Sequence, residues 1–387
     1  MKGKKALLNG YVAACRLLRG IKKNKVLFVS FGGKTYSDNP KAVSESLHEI
    51  APELDIVWLF RDPESKEGVV PDYVRTVSAD NMIRYYREMA TCAVMVNNFG
   101  FPDIPKGKQL FIQTWHGDRA FKKILYDAPS ISSSFHVSEE HNGYCDLAVA
   151  GSDYGEQQFR SAFHYTGNVL KVGTPRDDIL VRQPQGRIRA IKQSLGIPEN
   201  TKALLYAPTL RKKNQKDGTV QQIQEIDIEK TLDSLEQTTG SNWICLMRSH
   251  PVVAGLGGYA QSSRILDVSD YEDMADLLLI ADMLITDYSS SAGDFALLGR
   301  PIILFQSDVK EYLEKDRTFY FEMEDSPYLI AHNQAELEAL IHDFSRIDFA
   351  KNCREILSFY GTNECGSAAL TVAEIIRDYI REQGGRS

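Results

Sequence analysis

Residues 282–298, DMLITDYSSSAGDFALL, run from an apolar stretch through three consecutive serines, bracketed by Asp287 and Asp294, into a second apolar stretch. The first part has the length and composition of a buried parallel strand, and 292–298 reads as the helix that follows it. A helix N-terminus offers unpaired N–H groups and the positive end of the helix dipole. Ser289, Ser290 and Ser291 can therefore add donors toward a diphosphate. Ordinary N-capping by serine is the competing reading.

Outward from this junction, strand-like and helix-like segments alternate, which predicts parallel sheets with helices on both faces. In the first half, strands are expected at 26–31, 55–60, 93–98, 109–115, 147–151 and 169–172, and helices at 40–50, 81–89 and 155–163. Asn39 is the expected cap of the first helix, and Pro40 sits in its first turn. After a helical connector around 187–195, strands are expected at 203–207, 243–248, 264–268, 283–286 and 301–305, and helices at 228–237, 271–280 and 292–298. Helical period recurs at 334–344, 349–360 and 367–383, and one of these segments can cross back onto the first domain. The serine-rich segment 128–140 reads as a loop beside the cleft, able to gate it. A chain of 387 residues is too long for one ordinary core. The expectation is an α/β fold of two Rossmann-like domains, 25–185 and 186–355, facing a cleft, with helices at 356–387.

Residues 1–25 hold eight Lys or Arg and no acid. Setting those eight aside from the 45 basic side chains leaves 37 against 52 acidic ones, a net of −15 for the rest of the chain. Leu7, Leu8, Tyr11, Ala14, Cys15, Leu18 and Ile21 fall along one helical stripe, so 1–24 reads as a basic amphipathic helix. Two readings fit it: docking on an anionic membrane surface, or packing on the body. A signal peptide fits less well, because Arg16 and Arg19 interrupt the apolar stretch and no small-residue cleavage site follows. No apolar run approaches the ~20 residues that span a bilayer. The acidic body disfavours nucleic acid. The six cysteines form no C-x-x-C pair, which suits a reducing compartment, and no local acidic cluster has the pattern of a metal site.

Ligands of open α/β sheets bind beyond the carboxyl ends of strands, so the polar residues that end apolar runs carry the chemistry. Four such ends stand out: His116-Gly117-Asp118, Pro208-Thr209-Leu210-Arg211, Arg248-Ser249-His250-Pro251 and Asp287-Tyr288-Ser289-Ser290. His116 reads either as a core histidine at a tight turn or as a proton acceptor, with Gly117 permitting close approach of the backbone. His250, extended before Pro251, is equally suited to a structural hydrogen bond. Arg211 and Arg248 follow apolar strands, and their planar guanidinium forks suit phosphate oxygens. Lys122 and Lys123 read as a solvated face.

Together these stretches resemble the CDP-glycerol glycerophosphotransferase family of teichoic acid and capsule synthesis. The resemblance rests on FGGKTYSDNP (31–40), QTWHGDRAFKK (113–123), VGTPRDD (172–178), YAPTLR (206–211), RSHP (248–251), TDYSSSAGDFALLGRPIILF (286–305), EYLEKDRTFYFEM (311–323) and FYGTNECGSAA (359–369). It implies a GT-B-like pair of domains, acceptor-side first and CDP-donor-binding second, peripheral on the cytoplasmic face of the membrane. The implied reaction moves glycerol phosphate, or alternatively ribitol phosphate, from its CDP ester to a hydroxyl of a polyprenyl-diphosphate-linked glycan, releasing CMP. No covalently bound cofactor is implied. His116 is the implied general base, and His250 the group that assists the departing CMP. Arg211, Arg248, Thr209, Ser289, Ser290 and Gly117 are implied around the donor, and Asp287 and Asp294 organise the turn or reach the ribose. A nucleotide-sugar transferase on the same architecture, and an inactive membrane scaffold, are the competing classes. The short length is more like a priming or single-addition enzyme. The family often continues W-H-G with Thr-Pro; Asp118-Arg119 stands there in this chain and is expected to change the acceptor side or to set a carboxylate near His116, raising its pKa.

Overall fold

The computed structural model describes residues 2–100, 104–105, 107–128, 145–209, 226–248, 262–315 and 318–385. The chain divides into two compact units. One comprises Met1–Asp118, Ser132–Asp178 and Asn363–Ser387, the other Arg119–Ile131 and Ile179–Thr362.

The first unit is built on seven parallel strands: β1 (Lys22–Val29), β2 (Asp55–Phe60), β3 (Arg75–Ser78), β4 (Cys92–Asn97), β5 (Leu110–Gln113), β6 (Leu147–Ala150) and β7 (Asn168–Lys171), in the order β3-β2-β1-β4-β5-β6-β7. Successive residues of β1 point to opposite faces, and both faces are buried. Val26 and Phe28 pack with Trp58, Phe60, Val43 and Leu47 and with Val372 and Ile376 of the last helix, Ala368–Gly385. Leu27 and Val29 pack with Tyr86, Met89 and Ala90 of helix Met82–Thr91 and with Val12 and Cys15 of helix Lys2–Arg19. That two-sided burial is why the strand reads as an unbroken apolar run.

The second unit carries β8 (Lys202–Ala207), β9 (Trp243–Met247), β10 (Ile265–Asp267), β11 (Met283–Thr286), β12 (Ile302–Phe305) and β13 (Leu329–Ala331), in the order β10-β9-β8-β11-β12-β13, again all parallel. Both orders reverse direction once, at β1/β4 and at β8/β11, which is where a doubly wound sheet opens a crevice for ligands.

Several local expectations are corrected. The strand expected to 31 stops at Val29, because Phe31, Gly32 and Gly33 all take positive φ (46°, 65° and 83°). The helix expected to start at Pro40 starts at Asp38 with Ser37 in the cap position, so Asn39 is a buried first-turn residue rather than a cap. Edge strands β3 and β13, of four and three residues, were not anticipated, since short edge strands need little apolar alternation. The segment expected as one helix at 292–298 is a five-residue α-helix, Ser291–Phe295, running into a 3₁₀ turn, Ala296–Leu298, that ends at Gly299 with φ 66°. The N-terminal stripe is split as well: Cys15 (6% exposed) is buried together with Val12 (1%), which lies off the expected stripe, whereas Leu7 (78%) and Leu18 (81%) of the stripe are exposed, as is Leu17 (86%). Among the described residues no helix is long and apolar enough to cross a membrane.

Candidate active site

In the first unit, the candidate side chains gather at the carboxyl ends of β1, β4 and β5. His116 follows β5, and the left-handed residue beside it is Trp115 (φ 51°), not Gly117, which is simply buried. The imidazole is partly exposed and packed among Phe31 (centroids 5.1 Å), Phe99 (5.9 Å) and Trp115 (4.1 Å). Its Nδ1 lies 2.7 Å from the carbonyl oxygen of Asn98. A carbonyl can only accept, so Nδ1 carries the hydrogen and Nε2 is left with a lone pair. Burial lowers the His116 pKa; the Asn98 carbonyl and the charge of Asp38 raise it, and Arg176 lowers it. The ring is thus a neutral base with a defined accepting nitrogen.

The carboxylate that acts on His116 is Asp38, whereas Asp118 Oδ1 accepts the Gly151 N–H at 2.9 Å. A side chain at position 155 would also collide with Asp118, at 1.9 Å, so Gly155 makes room for it. The Asp118-Arg119 departure therefore does not supply His116 with a partner. Asn39, Asp38, Asn98 and Arg176 lie around the imidazole, and none was singled out from the sequence as a site residue, Asn39 having been read only as a helix cap. Their signal was there in part: Asp38, Asn39 and Arg176 lie in stretches that carry the family resemblance, and Asn98 is the polar residue that ends the apolar run 93–98.

In the second unit, the ends of β8 and β11 are tied together. The Thr209 N–H donates to both Asp287 carboxylate oxygens (2.9 and 3.0 Å), its hydroxyl donates to Oδ1 at 2.6 Å, and the Tyr288 N–H reaches the same oxygen at 2.5 Å. Gln306, after β12, donates to the Asp287 carbonyl at 3.0 Å. The serine turn follows directly. Ser289 Oγ accepts from the Ser291 N–H (3.3 Å) and hydroxyl (2.9 Å), and Ser290, in the cap position, makes no side-chain capping bond. Ser289 and Ser290 are partly exposed while Ser291 is buried. Asp294 points inward to the buried Arg119, 2.8 Å away.

Arg248, after β9, is partly exposed, and its side chain donates to Met274 Sδ at 3.2 Å. Burial lowers its pKa, and Asp273 offsets part of that effect. Among the described residues no carboxylate lies within ion-pair distance of it. A partly desolvated guanidinium with no ion-pair partner among the described residues is suited to an anionic ligand. Lys122 and Lys123 are strand-like rather than simply solvated: Lys122 bridges Phe319, and the Lys123 N–H donates to the Thr318 carbonyl. Arg211, Ser249, His250 and the segment 129–144 lie outside the described residues. Among those described, no group of three or more His, Cys, Asp or Glu could hold a metal ion.

Two parallel Rossmann-like sheets, one with a neutral histidine and the other with a hydroxyl-rich turn at its switch point, define an α/β transferase architecture of the GT-B-like class. The chain belongs to the CDP-glycerol:poly(glycerophosphate) glycerophosphotransferase family, whose model matches residues 11–360. It is 30% identical over 385 residues to the teichoic acid poly(glycerol phosphate) polymerase of Staphylococcus epidermidis, covering 94% of this chain and 52% of that protein. It is 32% identical over 351 residues to the teichoic acid glycerol-phosphate transferase of Staphylococcus aureus, covering 85% of each. Among solved structures, a histidine variant of the wall teichoic acid polymerase TagF soaked with CDPG superposes with a TM-score of 0.82 at 27% identity, over 97% of this chain and 94% of that one. The chain spans about half the length of the Staphylococcus epidermidis and Bacillus subtilis polymerases it matches, 52% and 45% respectively.

Proposed function

We propose that the chain transfers glycerol phosphate from CDP-glycerol to a hydroxyl of a membrane lipid-linked glycan, releasing CMP, in the synthesis of teichoic acid or a related cell-surface polymer. The observation that carries this reading is the His116 tautomer. With Nδ1–H held by Asn98, Nε2 is the atom that accepts the acceptor's proton. The hydroxyl oxygen attacks the phosphorus that bears glycerol, the P–O bond to CMP breaks in line, and His116 holds the proton. Phosphoryl transfer asks for positioning and charge stabilisation more than covalent chemistry. Arg248, Ser289 and Ser290 hold the diphosphate in this reading, with Arg211 and His250 joining them by family resemblance. Gly117, buried next to the base, is kept in this reading by family resemblance alone. Thr209, Asp287 and Asp294 support the turn from within.

The N-terminal helix supplies the membrane contact. Its Val12 and Cys15 side is buried on the first unit, while Leu7, Leu17 and Leu18 are exposed on a segment rich in Lys and Arg, a combination that suits an anionic lipid surface. Incubating the protein with CDP-glycerol, CDP-ribitol or a nucleotide sugar, each with a lipid-linked disaccharide, and weighing the products tests the reaction. The expected product gains one or more glycerol phosphates with equimolar CMP. A gain of ribitol phosphate or hexose alone, or no CMP release, overturns it.

A further inference from the structure

We propose that Asp38 is a positioning residue for the reaction, set behind His116 to balance the positive charge that the imidazole gains when it takes the acceptor's proton. This inference rests on the reading of His116 as the base. The contacts close a ring around the imidazole. His116 Nδ1–H donates to the Asn98 carbonyl, the Asn98 side-chain amide donates to Asp38 Oδ1 at 3.0 Å, and Asp38 Oδ2 faces Arg176 Nη1 at 3.5 Å. The Arg176 backbone N–H donates to Asn39 Oδ1 at 2.9 Å, and Asn39 Nδ2 returns to the Trp115 carbonyl, next to His116, at 2.9 Å. Asn98 is fixed from its other side by the Phe31 N–H, which donates to its Oδ1 at 2.8 Å.

The backbone supports the assignment. Phe31, Asp38 and Trp115 are all non-glycine residues at positive φ (46°, 65° and 51°), and all belong to this one cluster. Strain of this kind is retained where the surroundings over-determine it, commonly at functional sites. A glycine would meet the conformational need at position 38 without placing a carboxylate that is only 11% exposed. An acid in the first turn of helix Asp38–Ile50 also complements the helix dipole, so a purely structural role must be separated by experiment.

The charged groups acting on the ring are Asp38, from the start of that helix, and Arg176, from the 3₁₀ turn Pro175–Asp177; they push its proton affinity in opposite directions. The loops after β1 and β4 bring Phe31, Phe99 and Asn98, none of them charged. This opposition gives a signed test on the full-length protein: the pH dependence of kcat/KM for CMP release, with NMR titration of His116 as a readout independent of turnover.

Asp38→Asn keeps an oxygen acceptor for Asn39 and Asn98, and asparagine tolerates the left-handed backbone. The acid limb of its profile should move to lower pH by about half a unit or more, and its plateau should fall by about tenfold. Arg176→Gln should move the limb to higher pH. Unshifted limbs and unchanged His116 titration in both variants, beside an inactive His116→Ala protein, would refute the role of Asp38 while leaving the base in place. Full activity of His116→Ala would overturn both readings.

Discussion

Arg119, with no solvent exposure, donates to Asp294 Oδ1 through Nη2 at 2.8 Å and through Nε at 3.3 Å, locking the inner side of the serine turn. The neighbour that permits this approach is Gly293, where a Cβ would lie 2.6 Å from Arg119 Cβ. The arginine that departs from the usual W-H-G-Thr-Pro pattern thus has a defined use inside the second unit.

Breaking a buried pair by removing one partner leaves the other charge uncompensated, at a cost of about 3–5 kcal/mol, whereas replacing both costs much less. Arg119→Met alone should therefore lower unfolding stability by about that amount, and Arg119→Met with Asp294→Leu should recover a large part of it. Denaturant unfolding of the two singles and the double decides the matter. Strict additivity of the single effects would show that the pair is not coupled.

The outward face of the N-terminal helix is separable from its packing face, which makes lipid binding testable without disturbing the fold. Replacing Leu7, Leu17 and Leu18 together by Ser should leave thermal unfolding within about 1 kcal/mol of the parent, because all three are exposed. Co-sedimentation with anionic vesicles should fall several-fold. Equal partitioning of parent and triple variant would reject this face as the lipid contact.

The parts of the fold legible in the sequence were those whose burial is two-sided. β2 (Asp55–Phe60) and β11 (Met283–Thr286) are continuous apolar runs bounded by polar residues, and their ends follow from that pattern alone. The first helix was only half legible. Its stripe identified an amphipathic helix, yet a helix apolar on two sides gives no sign of which side the body takes, and Val12 rather than Leu18 was buried. At the site, His116 could be found because it ends a strand. Asp38 and Arg176 reach it from segments about 80 residues before and 60 after it, a convergence that periodicity in one sequence does not encode. Asn39 misled for a related reason: its side chain holds the Trp115 carbonyl and the Arg176 amide, a tertiary use that displaced its local preference for a cap.

Thr209 and Asp287 fasten the two strand ends that flank the second switch point. Thr209→Val keeps the backbone donor and the shape but removes the hydroxyl that reaches Asp287 Oδ1 at 2.6 Å. A loss of about 1–2 kcal/mol in stability is expected, with KM for CDP-glycerol rising more than kcat falls if the loosened turn receives the diphosphate as proposed. A change confined to kcat would argue that Thr209 contacts the reacting groups instead.

His116 and Arg248 should fail in different ways, because one is assigned to proton transfer and the other to holding charge. His116→Ala removes the accepting nitrogen, so turnover should fall by about a hundredfold or more while calorimetry still finds CDP-glycerol binding near the parent affinity. Arg248→Ala removes a partly buried guanidinium that Met274 alone hydrogen-bonds among the described residues, so donor binding itself should weaken by about tenfold to a hundredfold. Arg248→Lys keeps the charge but not the fork and should fall between the two. The pH dependence carries a sign of its own: burial lowers the His116 pKa, so the neutral base persists to lower pH than an ordinary imidazole would, and the rate should drop only as pH falls through that lowered value. If instead His116→Ala abolished donor binding and Arg248→Ala left it intact, the two assignments would have to be exchanged.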